Sequence, residues 1–252
     1  MKIALITGAS QGIGAAIASE LNNRKIKVIL VSRSLKKLKK FQNNLKYPKN
    51  SIIIARDLRS LSACNSIGAK IKKINYLINV AGATKGGKFL NLSDNIWDDG
   101  FNLKFKAAVR LSRIFWKTLG KNKGKVINIG GGAARRPSHT FMIGGAVNSA
   151  LNNFSKALAM QGKLDKVSVS IIHPGMTLTS RLHKILETDS KILKKRIKQI
   201  LVQRCKSDKI KRPTKPEEVA KLVYKLIKDR NSNYKNLSID GGKVKNLNKK
   251  IF

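Results

Sequence analysis

The chain has 252 residues, of which 42% are hydrophobic, 6% aromatic and 26% charged, enough apolar side chain for one large α/β core and too much for a wholly disordered polymer. Its 53 basic and 13 acidic residues give a net charge of +40, read either as a surface selected for acidic partners or as drift toward A/T-rich codons, with lysines outnumbering arginines throughout the chain. Two cysteines (Cys64 and Cys205) exclude a disulfide framework, the first apolar run is too short for a signal peptide, and nothing approaches the roughly 18 apolar residues of a bilayer span, so a soluble, cytoplasmic chain without membrane insertion or a metal site is expected.

In chain order, short β-rich runs fall at Lys2–Thr7, Lys27–Ser32, Ser51–Ala55, Asn75–Val80, Lys125–Ile129, Val167–Ile172 and Asn236–Ile239. Stretches with helical spacing lie between them, such as Ile13-Ile17-Leu21 and Leu151-Phe154-Leu158. This alternation predicts βαβ crossovers and a doubly wound α/β domain over residues 1–252, with seven parallel strands and helices on both faces. The first strand runs into Thr7-Gly8-Ala9-Ser10-Gln11-Gly12-Ile13-Gly14, a glycine-rich turn opening a helix, where backbone N–H groups and the helix N-terminus suit a phosphate. Two glycine-rich loops, Gly82–Lys88 and Gly130–Ser138, each follow a strand, where open α/β sheets bind ligands. Residues 180–215 read as one or two amphipathic helices inserted before the last βαβ step, either a substrate lid or a packed surface element.

With these motifs in this order, the sequence resembles the short-chain dehydrogenase/reductase family over almost its whole length. The family's other landmarks have counterparts in Asp57-Leu58 after the third strand, Asn79-Val80-Ala81-Gly82, Asn102, Pro174-Gly175 with Thr177 and Thr179, Arg212-Pro213 to Ala220, and Asp240-Gly241-Gly242. The resemblance implies hydride transfer between a nicotinamide cofactor and a small carbonyl or alcohol substrate, anionic or carrier-linked in some members, in a homodimer or homotetramer. It assigns cofactor binding to Gly8, Ser10, Gln11, Gly12, Ile13, Gly14, Ser32, Arg33, Asp57, Leu58, Asn79, Ala81, Gly82, Pro174, Gly175, Thr177 and Thr179. Ser32 stands where NAD-selective sites place a carboxylate, and Arg33 can donate two hydrogen bonds to a phosphate, which favours NADP(H) over NAD(H).

The family's catalytic serine, tyrosine and lysine lack counterparts. Alignment puts Gly131 at the serine, Gly144 at the tyrosine and Asn148 at the lysine, leaving a hollow between Gly130–Gly132 and Gly144–Ala146. The tyrosines, Tyr47, Tyr76, Tyr224 and Tyr234, lie far from this helix in sequence. The remaining candidates for proton handling are Asn102, where the family holds a structural water, and His139, whose unperturbed pKa of about 6.5 suits the task.

Three functions compete at this level. They are an NADP-dependent oxidoreductase with an altered proton relay, a catalytically inactive NADP(H)-binding sensor or partner subunit, and a basic module for an acidic partner. Scattered lysines offer no geometry for reading bases, so no specific nucleic acid is expected.

Overall fold

Runs of Val, Ile and Leu that are apolar at every position suit strands buried on both faces, and they occupy the centre of the molecule. The structure, a computed structural model, describes residues 1–229, 231 and 234–248. Its elements in chain order are β1 (Ile3–Thr7), α1 (Gly12–Asn23), β2 (Lys27–Ser32), α2 (Leu35–Asn43), β3 (Ser51–Ala55), α3 (Leu61–Lys70), β4 (Tyr76–Asn79) and α4 (Asp94–Gly100). A π-helical stretch, Phe101–Lys106, joins α4 to α5 (Ala107–Lys121). Then come β5 (Lys125–Ile129), α6 (Met142–Asp165), β6 (Ser168–Pro174), α7 (Ser180–Leu193), α8 (Ile197–Ser207), α9 (Pro216–Lys228), β7 (Lys235–Asp240) and β8 (Lys243–Asn246).

The sheet order is β3-β2-β1-β4-β5-β6-β7-β8, and the seven strands expected from sequence run parallel. The chain winds outward in both directions from β1 and β4, so a crevice opens beyond their carboxyl ends. One expectation needs correction: the sheet has eight strands, because Gly241 and Gly242, at φ +57° and +83°, turn the chain back and lay β8 antiparallel to β7. Lys243-Val244-Lys245-Asn246 is exposed throughout and carries no apolar run, which hides it from pattern reading and suits a charged sheet edge.

Two cores flank the sheet. Ile17 and Leu21 of α1 pack with Val219 and Val223 of α9 on one face, while Cys64, Ile67, Leu111 and Phe115 from α3 and α5 cover the other. The inserted segment forms two helices, α7 and α8, which share a small core of Leu182, Leu186 and Ile200. Ile192 and Leu193, at the end of α7, are 71% and 52% exposed.

Candidate active site

The turn after β1 is built by glycine. Gly8 and Gly12 adopt left-handed φ values of +66° and +58°, and a Cβ on Gly14 would lie 2.2 Å from the Gly8 carbonyl oxygen. No bulkier residue lets α1 start this close to the turn. Thr7 Oγ1 accepts the N–H groups of Val80 and Ala81, both at 2.9 Å, which fastens the turn to the segment after β4. The α1 N-cap, Gln11, makes no side-chain capping bond, so the first-turn N–H groups at the positive end of the helix have no side-chain cap.

Beside this turn, Ser10 Oγ and Ser32 Oγ are 2.9 Å apart, and no carboxylate follows β2 until Asp57 after β3. The Arg33 side chain is 61% exposed and only loosely paired with Asp57 at 3.9 Å. Asp57 is held more closely by Arg59 at 3.2 Å, which also pairs with Asp99 and holds that carboxyl below its ordinary range. Leu58 is buried in the core, so its side chain faces away from the cleft. Pro174 is buried, and a Cβ on Gly175 would lie 2.1 Å from Asp240 Oδ1. The Thr177 hydroxyl donates to the Gly175 carbonyl at 2.9 Å, and Thr179 caps α7 by accepting the Leu182 N–H at 3.4 Å. Thr179 Cγ2 also lies 3.3 Å from where a Gly12 Cβ would stand, so the segment after β6 closes against the phosphate turn.

A polar chain crosses the carboxyl ends of β4 and β5. Asn79 Nδ2 donates to Asn128 Oδ1 at 2.9 Å, Asn128 Nδ2 to Ser155 Oγ at 2.8 Å, and that hydroxyl to the Leu151 carbonyl at 2.7 Å. Asn79 Oδ1 is buried without a partner among the described residues. His173, buried at the end of β6, has Nδ1 within reach of both the Gly131 N–H at 3.3 Å and the Gly131 carbonyl at 3.1 Å, and its Nε2 lies 3.1 Å from Asn152 Oδ1. Burial pushes its pKa down to about 4, so the ring is neutral near pH 7.

The hollow expected between the two glycine segments is filled from within the chain. A Cβ on Gly144 would lie 1.9 Å from Phe141 Cε1, so the Phe141 ring takes the volume in front of that residue. A Cβ on Gly131 would lie 3.1 Å from Asn148 Nδ2, and this amide donates to the Gly144 carbonyl at 2.6 Å. Asn148 Oδ1 is buried and unpartnered among the described residues. Arg181 of α7 lies over the Phe141 ring at 5.9 Å and donates to the Thr84 carbonyl at 3.2 Å, bridging the insertion to the loop after β4.

Asn102 is half-buried in the π-helical stretch, where its carbonyl accepts the Ala107 N–H. His139 is exposed on the loop before α6, outside this polar cluster. Sequence reasoning missed Lys104, two residues beyond Asn102. Its Nζ donates to the Gly130 carbonyl at 3.1 Å, and its stem crosses Gly82, where a Cβ would lie 2.7 Å from Lys104 Cδ. Burial, with Arg181 adding to it, pushes its pKa down to about 7. One lysine among so many gives no sequence signal; only the fold separates it from the solvated ones.

Comparison with known proteins agrees with this architecture. The family model of short chain dehydrogenases matches residues 2–190. The 2,3-dihydro-2,3-dihydroxybenzoate dehydrogenase of Bacillus subtilis is 28% identical over 249 residues, covering 96% of this chain and 95% of that protein. The 3-oxoacyl-[acyl-carrier-protein] reductase FabG of Rickettsia typhi is 31% identical over 199 residues, 78% of this chain and 81% of that one. Among solved structures, L-sorbose reductase from Gluconobacter frateurii, complexed with NADPH and L-sorbose, superposes with a TM-score of 0.89 at 27% identity, over 96% of this chain and 95% of that one. The chain belongs to the short-chain dehydrogenase family.

Proposed function

We propose that this protein is an NADPH-dependent reductase of a small carbonyl compound, working through an atypical active site. The observation that carries the reading is the anion cradle: the glycine turn Gly8–Gly14 at an uncapped helix start, flanked by the exposed Arg33 and by Ser32 in place of a carboxylate. The N–H groups of Ile13 and Gly14 would hold a pyrophosphate, and Arg33 a ribose 2′-phosphate. Asn79 to Gly82 would lie beneath the nicotinamide end, with Pro174 to Thr179 closing over it. When bound, the cofactor supplies a hydride, and the chain's task is to place the carbonyl and provide a proton.

The family relationship and the NADPH carried by L-sorbose reductase support the assignment. The proposed site differs from the family's in having Gly131, Gly144 and Asn148 at the serine, tyrosine and lysine positions. The volume filled by Phe141 and Asn148 also favours a second reading, an NADP(H)-binding protein without turnover. Fluorescence titration with NADPH and NADH, followed by NADPH oxidation over a panel of ketones, hydroxyketones and β-ketothioesters, separates the two. Tighter NADPH binding with turnover of at least one carbonyl is expected; binding without turnover favours the second reading.

A further inference from the structure

Lys104 lies where the strands deliver a ligand, yet neither alignment nor pattern assigns it a task. Its stem leaves the π-helical stretch, crosses Gly82 beyond β4, and sets Nζ 3.1 Å from the Gly130 carbonyl beyond β5. An ammonium has three donors, and this one has a single acceptor and no ion-pair partner among the described residues. A partly buried cation so poorly compensated is costly unless a ligand completes its surroundings. The charged or titratable groups that act on it are Arg181 from α7 and His173 from β6, and both disfavour its positive form when charged. Other proton carriers are committed or elsewhere. Both His173 ring nitrogens are held by the protein, Gly131 and Gly144 have no side chain, and Tyr76 and Tyr224 pack against the α1–α9 core.

We propose that Lys104 is the proton donor of the reaction, its ammonium protonating the carbonyl oxygen as hydride adds to the carbonyl carbon. This rests on the reductase reading above. The step balances: two electrons and a hydrogen arrive as hydride from the reduced nicotinamide, a proton arrives from Nζ, and the products are an alcohol, oxidised cofactor and neutral amine. Water returns the proton to Nζ. Burial that favours the neutral amine makes the ammonium a ready acid near neutral pH.

The test compares the wild-type protein with Lys104→Met, Lys104→Arg and Lys104→Ala, using a carbonyl compound that the wild type reduces. Loss of a positioned acid is expected to lower kcat by about 10²–10⁴-fold in Lys104→Met and in Lys104→Arg, since arginine keeps the charge without a transferable proton. The dissociation constant for NADPH is expected to stay within about threefold, and small primary amines to restore Lys104→Ala at rates that follow their pKa. A kcat within threefold of wild type in Lys104→Met, or restored by arginine, overturns the proposal while leaving the reductase reading intact. A wild type that binds NADPH and reduces nothing overturns both. A readout independent of turnover uses the cofactor-free wild type labelled with ¹⁵N- and ¹³C-lysine. Its Lys104 signal, identified by its absence in Lys104→Arg, is expected to titrate near 7, and titration in the ordinary lysine range overturns the proposal even if Lys104→Met fails to fold.

Discussion

The Phe141 ring occupies the space into which a side chain at Gly144 would project, with Phe141 Cε1 only 1.9 Å from the Cβ position. A substitution at Gly144 therefore tests packing before it tests chemistry. Gly144→Ala is expected to lower the unfolding free energy by about 1–3 kcal/mol, the usual cost of overpacking, despite alanine's better helix propensity. In a Phe141→Ala background the sign should reverse, and Gly144→Ala should stabilise by about 0.5–1 kcal/mol. Urea denaturation of the four proteins of this cycle measures the coupling, and additive effects would show that the ring does not hold this space.

The cofactor end gives a sharper prediction, because NADPH and NADH differ only in the 2′-phosphate. Arg33 is exposed, loosely paired with Asp57 and next to a serine rather than an acid. Arg33→Ala is expected to weaken NADPH by about 1.5–3 kcal/mol, the scale of a charge-assisted hydrogen bond, and to leave NADH nearly unchanged. Ser32→Asp should act in the same direction by adding repulsion. Fluorescence titration with both nucleotides checks this, and equal losses for the two would remove Arg33 from the phosphate.

Legibility in the sequence follows physical contrast. The strands were readable because Ile29-Leu30-Val31 and Ile52-Ile53-Ile54 are unbroken β-branched or aliphatic runs in a chain rich in lysine. The phosphate turn was readable because left-handed φ at Gly8 and Gly12 and contact at Gly14 demand glycine. β8 was not, since an exposed edge strand needs no apolar side chain. Nor was the filling of the space before Gly144: missing side chains suggest a void, and only three-dimensional packing shows Phe141 returning to fill it. Lys104 and His173 escaped for the same reason, since the chemistry of each comes from burial, which composition does not encode.

Burial of His173 links stability to acid. Its folded pKa, about 4, lies below the ordinary 6.5, so between those values the unfolded chain binds the extra proton. Stability is fully present above about pH 6.5 and falls as the pH drops toward 4, by up to about 3 kcal/mol at 1.36 kcal/mol per pKa unit. Glu218, held near 2 by Arg212, loses its contribution at more acid pH still, below the carboxylate's ordinary value. Lys104 acts in the alkaline range: its pKa is lowered from 10.5 to about 7, so stability rises further between those values. Chemical denaturation from pH 4 to 10 is expected to show both rises. His173→Asn should flatten the first alone and Lys104→Met the second alone; an unaltered profile in either variant would mean that its residue titrates normally.

The last prediction concerns the source of the +40 charge. Among the described residues, the non-glycine positions with left-handed φ are Lys25, Lys123, Lys166, Lys194 and Lys209, and every one is lysine. Chain reversals of this kind favour glycine or asparagine, because a Cβ in the left-handed region costs roughly 1 kcal/mol. Lysine gains nothing there from its backbone, which fits a drift in composition better than selection at each site. Lys166 is the clearest case: at φ 60° and ψ 33° it ends α6, and its N–H donates to the Gly162 carbonyl. Glycine keeps that bond and relieves the strain, so Lys166→Gly is expected to stabilise the protein by about 0.5–1 kcal/mol. Removing one charge from so many should leave NADPH affinity unchanged, and retention on a heparin column should shift only slightly. Thermal and urea denaturation decide the point. A loss of stability, or a large drop in heparin retention from this single change, would show that Lys166 makes a specific contact and that its charge was selected.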